Sequence, residues 1–182
     1  MGNKSSSSSS STEQHQNGNS SYEETNDRVS QQSSGGYYEM IKQNYQSLVN
    51  AIIRPPRSEY TLDQLGPSHF TFCGRRFIRK DFELFNDRGM KFVCSMWEPK
   101  LEDRPAVSLP AVIYLHGNSS SRCEALSILS LVLSLGATLF AFDFCGSGAS
   151  DGEYVSLGAY EKHDLLCAIE YLRCTRTTSS IA

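Results

Sequence analysis

Two short runs in this chain place chemically capable residues just past an apolar segment. His116-Gly117-Asn118-Ser119 follows Ala111–Leu115, and the run GSGASDG from Gly146 to Gly152 follows Thr138–Phe142. Acyl transfer builds negative charge on a carbonyl oxygen. Fixed backbone N–H groups aimed at that oxygen stabilise it, each worth about 3 kcal/mol. Gly117 lets the backbone approach a ligand closely, so the amides of Asn118 and Ser119 are the natural oxyanion donors. His116 and Gly117 then shape the loop, His116 orienting it rather than acting as a general base. The same four residues also fit an ordinary polar strand-to-helix loop, with Asn and Ser as caps.

Other chemical patterns are weaker. Gly148-Ala149-Ser150-Asp151-Gly152 matches the nucleophile pattern G-x-S-x-G. A nucleophile elbow, however, sits directly between strand end and helix start. Here the strand ends near Asp143 and helical spacing returns only near Leu157, so Ser150 is expected to be a decoy. Gly146-x-Gly148 opens a dinucleotide fingerprint, but the third glycine is out of register; no cofactor is expected. His163 and Asp164 are sequence neighbours on a helix and point apart, which predicts a solvated face. The six cysteines (Cys73, Cys94, Cys123, Cys145, Cys167, Cys174) form no C-x-x-C pair. With His15, His69, His116 and His163 they suggest no ligand set, which predicts free thiols in a reducing compartment and no metal.

The elements that must position these loops are legible from spacing. At 182 residues the chain has room for one domain, and a net charge of −3 without a basic stripe argues against nucleic acid. Residues 1–36, rich in Ser, Gln and Asn, predict a disordered arm, and residues 37–174 the domain. Ile41, Tyr45, Leu48 and Ile52 recur at helical spacing before Pro55 and Pro56, predicting a helix that packs on that domain. Phe77–Phe85 and Met90–Trp97 flank Asn86-Asp87-Arg88-Gly89 and predict a hairpin. Ala111–Leu115 and Thr138–Phe142 read as strands covered on both faces, separated by a helix over Arg122–Leu135 that Gly136 stops. Ser127, Ser130, Ser134 and Gly136 argue against a membrane span in the uncharged stretch Ala125–Phe142. A further helix is predicted from Leu157 to Arg173. Residues 175–182 read as a polar tail whose end begins another strand. The alternation of strand and helix predicts an α/β fold: an antiparallel hairpin joined to a mostly parallel sheet with flanking helices.

From Ile53 to Arg173 the chain resembles the amino-terminal half of an α/β-hydrolase of the serine-aminopeptidase-like or alpha/beta-hydrolase-domain type. The resemblance rests on Ile53-Arg54-Pro55-Pro56-Arg57, Asn86-Asp87-Arg88-Gly89, the HGNSSS run from His116, DFCGSGASDGEYVSLG at 143–158, and Glu161-Lys162-His163-Asp164-Leu165. It implies a cofactor-free serine hydrolase for esters, thioesters or amides, with small-molecule or acylated substrates. It implies an oxyanion hole at Asn118 and Ser119 and a Ser–Asp–His triad. The elbow, acid and base of that family follow the next strand and have no counterpart here. The chain is therefore expected to be inactive by itself, with Ala111–Leu115 left as a bare apolar edge and stability poor. Two alternatives are a non-catalytic, lipid-tethered interaction protein and an enzyme that uses Ser150.

Met1-Gly2-Asn3-Lys4-Ser5-Ser6 fits the N-myristoylation pattern M-G-x-x-x-[ST], with Gly2 as acceptor. This predicts a cytoplasmic protein that associates reversibly with a membrane surface, because one acyl chain binds only marginally.

Overall fold

The computed structural model describes residues 21–175 and 177–182, with side chains from residue 36 onward except residue 176. It divides into two units, Met1–Ser47 and Leu48–Ala182. Helix α1 (Ser21–Ile53) starts before Tyr37, where the ordered part was expected to begin. Residues 1–20, including Gly2 and the serine run, lie outside the described residues. The predicted stripe is present, but Ile41, Tyr45, Leu48 and Ile52 are all exposed rather than packed.

Six strands form one sheet: β1 (His69–Phe72), β2 (Arg75–Phe85), β3 (Lys91–Pro99), β4 (Leu109–Tyr114), β5 (Thr138–Phe142) and β6 (Thr178–Ile181), in the order β1-β2-β3-β5-β4-β6. The β1–β2, β2–β3 and β3–β5 pairs are antiparallel; β5–β4 and β4–β6 are parallel. The hairpin between β2 and β3 closes where expected. Gly89 takes the positive φ (71°), and the Asn86 side-chain oxygen accepts the amides of Arg88 and Met90. Side chains alternate along the strands, so each sheet face builds its own core. Trp97, Leu139 and Ala141 pack with Val132 and Leu133 of α2 (Leu126–Ser134). Phe92, Met96, Phe140 and Phe142 pack with Ala168 and Leu172 of α3 (Glu161–Cys174). All five residues of β5 are buried, as its apolar run predicts. β4 is less covered than expected: Val112, Ile113 and Tyr114 are only half-buried and Leu115 is exposed.

Three further expectations are corrected. The stretch 175–182, read as a polar tail whose end begins another strand, supplies β6, which lies along β4, so β4 is not the bare edge expected. Thr177 O accepts the Leu109 amide, and Ala182 exchanges bonds with Ala111 and Ile113 at 2.9 and 2.8 Å. The serine and threonine side chains of β6 give no apolar alternation, and the pairing is made by backbone. The helix expected from Leu157 begins only at Glu161, because Leu157 (φ 52°) and Gly158 (φ 105°) are left-handed. Asp164, expected on a solvated face, is 1% exposed. Its carboxyl accepts Asn86 Nδ2 at 2.7 Å and the Cys145 amide at 2.8 Å, joining the hairpin turn, α3 and the segment after β5. Among the described residues no helix is long and apolar enough to cross a membrane.

Because β6 satisfies the outer edge of β4, a chain shortened before Thr178 is expected to self-associate. Sedimentation should show the full 182 residues monomeric and the shortened chain polydisperse at equal concentration; matching profiles would refute this role for β6.

Candidate active site

The carboxyl ends of β4 and β5 lie side by side, and the segments leaving them carry the residues singled out by sequence. Asp143, the first residue past β5, is fully buried. Its Oδ1 accepts the Arg122 amide at 2.6 Å; its Oδ2 accepts the Tyr60 hydroxyl at 2.6 Å and the Ala149 amide at 2.9 Å. Gly148 must be glycine here, since a Cβ would lie 2.2 Å from Asp143 Oδ2. Burial, and then the bond to Asp143, push the Tyr60 hydroxyl well above the ordinary tyrosine range.

His116 bridges the two segments. Its Nε2 accepts the Phe144 amide at 3.1 Å, which leaves Nδ1 to carry the proton and donate to Gly117 O at 2.8 Å. Both ring nitrogens are thus engaged in positioning. Along the following loop most amides are consumed. Gly117 N–H donates to Glu124 Oε2 at 2.9 Å, Ser119 N–H to Asn118 Oδ1 at 3.1 Å, and Ser120 N–H to Gly117 O at 3.2 Å. The Gly117 amide in turn holds the Glu124 carboxyl below its usual range. From Gly117 to Ser120, among the described residues, only the Asn118 amide lacks a partner. Ser119 is left-handed (φ 61°), a conformation costing about 1–2 kcal/mol for a residue with a Cβ.

His116, Gly117 and Asn118 border a cavity of about 190 Å³, completed by Phe144, Ser147, Val155, Leu157, Gly158 and Glu161. Its far wall is pinned by Glu161, whose carboxyl accepts the amides of Ser156 and Gly158 at 2.6 and 2.7 Å. Burial alone would raise the pKa of Glu161; the Ser156 hydroxyl, which also donates to it, and these amides outweigh burial and lower it.

Ser150 is outside this cavity. It is 2% exposed, donates to Asp143 O at 2.6 Å and accepts the Val93 amide at 3.0 Å. Neither histidine nearby serves it: His116 is engaged as above, and His163 Nδ1 pairs with Asp87 at 2.8 Å on the surface. The sequence also hid a spacing. His163 and Cys167 lie four apart on α3 and border one cavity with Asp87 and Glu170. Even so, no group of three such side chains among the described residues is disposed to hold a metal ion.

Several site residues were not foreseen. Tyr60 and Glu124 carry no motif of their own, and Asp143, which opens the run at 143–158, was not singled out, although a carboxylate ending an apolar run is a detectable signal. Arg57 donates to the carbonyls of Ser150 (3.0 Å) and Gly152, and Arg54 to the hydroxyl of Tyr154, whose ring lies beneath its guanidinium at 4.5 Å. The Ile53–Arg57 motif thus fastens the glycine-rich loop.

No protein-family model matches the chain, and no curated protein matches it. Among solved structures it aligns with the α/β hydrolase GrgF from Penicillium sp. sh18 over 52% of this chain and 32% of that one, at TM-score 0.43 and 24% identity. It aligns with the esterase Pf2001 of Pyrococcus furiosus at TM-score 0.53 and 28% identity, over 70% of this chain and 46% of that one. The chain is related to the α/β-hydrolase superfamily. A hypothetical protein from Pseudomonas aeruginosa shares the fold at TM-score 0.53 and 15% identity, over 66% of this chain and 37% of that one. This α/β-hydrolase relative therefore spans less than half the length of the esterase it matches.

Removing the Tyr60–Asp143 bond tests the hub. Tyr60→Phe is expected to cost about 1–2 kcal/mol in chemical denaturation. Above about pH 10 the unfolded Tyr60 loses its proton while the folded one keeps it, so wild-type stability falls as pH rises. The variant should show a shallower fall; an unchanged alkaline profile would contradict the assignment.

Proposed function

We propose that residues 53–182 form the oxyanion-binding half of a serine hydrolase acting on ester, thioester or amide bonds. The observation that carries this reading is the unpaired Asn118 amide at the rim of the His116–Glu161 cavity, in a loop whose neighbouring amides are all committed. A donor fixed in advance costs no reorganisation when charge develops on the substrate oxygen, and that is the basis of electrostatic catalysis. His116 is a positioning residue, because its Nε2 is occupied by the Phe144 amide. The likeness to an esterase of 28% identity supports the reaction class. Ser150 does not act as nucleophile, since its hydroxyl is spent on two backbone bonds. The cavity takes a small acyl or alkyl group, with Phe144, Val155 and Leu157 as its apolar walls.

A fluorophosphonate probe tests this at two levels. The 182-residue chain should remain unlabelled. Label on Ser150, or on any other serine of the chain, would overturn the proposal. In a labelled native enzyme, Asn118→Pro, which removes the amide proton, should lower kcat/KM about 100-fold, the usual consequence of losing one such donor. An unchanged kcat/KM would exclude Asn118 as the donor.

A further inference from the structure

We infer that the chain binds a small monocarboxylate in a cavity between β2, β3 and the segment that leads into α2, with the Arg122 side chain as its counter-ion. The site goes beyond the hydrolase reading and shares no lining residue with the His116–Glu161 cavity. Arg122 is 4% exposed. Its backbone amide is spent on Asp143 Oδ1 at 2.6 Å. Its guanidinium makes no hydrogen bond or ion pair with any described residue, and Nε is buried without an acceptor. The Tyr60 ring lies 5.5 Å from the guanidinium carbon, where it attracts the charge but takes none of the N–H bonds directed outward in the plane of the fork. A buried cation with unmet donors is costly to keep, so Arg122 lowers stability where it stands. A local cost of this kind is the mark of a group whose partner is a ligand.

Arg122 borders a cavity of about 290 Å³, which Leu62, Asp81, Phe82, Glu83 and Val93 complete. The two acids are already committed to other cations. Asp81 accepts Arg79 Nε at 2.9 Å and the Ser95 hydroxyl at 2.6 Å, and Glu83 accepts Lys91 Nζ at 3.0 Å. The oxygens of Asp143 are taken by Tyr60, Ala149 and the Arg122 amide. The guanidinium is therefore the cation that these acids leave without a bonded partner. Its planar fork matches a carboxylate, which can accept two parallel N–H bonds. A single charge on an apolar body also suits the remaining walls, where Leu62 and Val93 offer aliphatic surface. A doubly charged phosphate would be pressed against Asp81 and Glu83, and a cationic ligand would meet Arg122 itself. These features select a short-chain or single-ring monocarboxylate as the occupant.

Titration of the 182-residue chain with butyrate, butyramide and inorganic phosphate, followed by amide NMR and thermal melting, tests the site. Butyrate should shift the Leu62, Val93 and Arg122 amides to saturation and raise the melting temperature. Butyramide, of the same shape without the charge, and phosphate should each bind about tenfold or more weakly. Arg122→Met should weaken butyrate by a similar factor, yet melt at an unchanged or higher temperature, because an apolar chain replaces an unpaired buried cation. A purely structural arginine would instead cost stability when replaced. Should Arg122→Met fail to fold, Leu62→Asp decides: this wall is 52% exposed, so the fold tolerates the change, and the added carboxylate should repel butyrate. Butyrate that binds Leu62→Asp or a folded Arg122→Met as tightly as the wild type would overturn the inference. So would butyramide or phosphate binding as tightly as butyrate, or the lack of any saturable shift with butyrate.

Discussion

A carboxyl group with no access to water must have its acceptor capacity met by protein, and at Asp143 that requirement organises the carboxyl edge of the sheet. Three donors converge on it from three segments: Tyr60 ahead of the sheet, Arg122 at the entry to the α2 region, and Ala149 within the glycine-rich loop. Its own backbone completes the junction, with its amide on Val93 O and its carbonyl accepting Ser150 Oγ. Hydrogen bonds to a buried carboxyl are worth about 1.5–3 kcal/mol each when the group is charged, and an orphaned partner is costlier still. The segments are therefore fixed relative to one another by a single side chain at the end of the most deeply buried strand.

The glycine-rich loop depends on this arrangement from both sides. Inside, it is drawn onto Asp143 so closely that Gly148 has no room for a side chain. Outside, Arg57 gathers the carbonyls of Ser150 and Gly152, and the Val155 amide reaches Ile53 O at 2.8 Å. A loop turning through several left-handed residues directs many carbonyls outward, and a guanidinium fork suits such a cluster. This gives the Pro-Pro-Arg segment, which has no chemistry of its own, a structural role at the loop. Ser150 sits at the centre of the fastening, so its hydroxyl is structural by the same logic that makes Asp143 structural.

Much of the fold was legible because local rules and tertiary context agree. β5 and the β2–β3 hairpin carry apolar spacing and a glycine turn that have one good solution, and Gly136 ends the helix before β5 as its position implies. Legibility failed where pairing is made by backbone or by distant polar groups. β6 is written in Thr and Ser, whose side chains give no apolar alternation, and only the unmet amides of β4 reveal why it forms. Asp164 looks like any helical surface acid until Asn86, far away in sequence, turns toward it. At the site, the loop from His116 to Ser119 was visible as a motif. The identity of the free amide was not, because it emerges by elimination once Glu124 and the Asn118 side chain have taken their shares.

That elimination also accounts for the strain in the loop. Holding Ser119 left-handed costs about 1–2 kcal/mol, and the short bonds around it, each worth about 1 kcal/mol, offset it. Were the loop merely a connection from β4 to α2, a relaxed turn would join the same ends at lower cost. The strained form differs in leaving one N–H directed at no protein acceptor, beside a cavity with apolar walls. Strain that is compensated locally and leaves a donor unused is the pattern expected where a ligand supplies the missing acceptor. His116 reinforces it from behind. Anchored by Phe144, the imidazole sets the distance between the loop with the free amide and the loop that walls the cavity, and so ties the Asp143 hub to the His116–Ser120 loop.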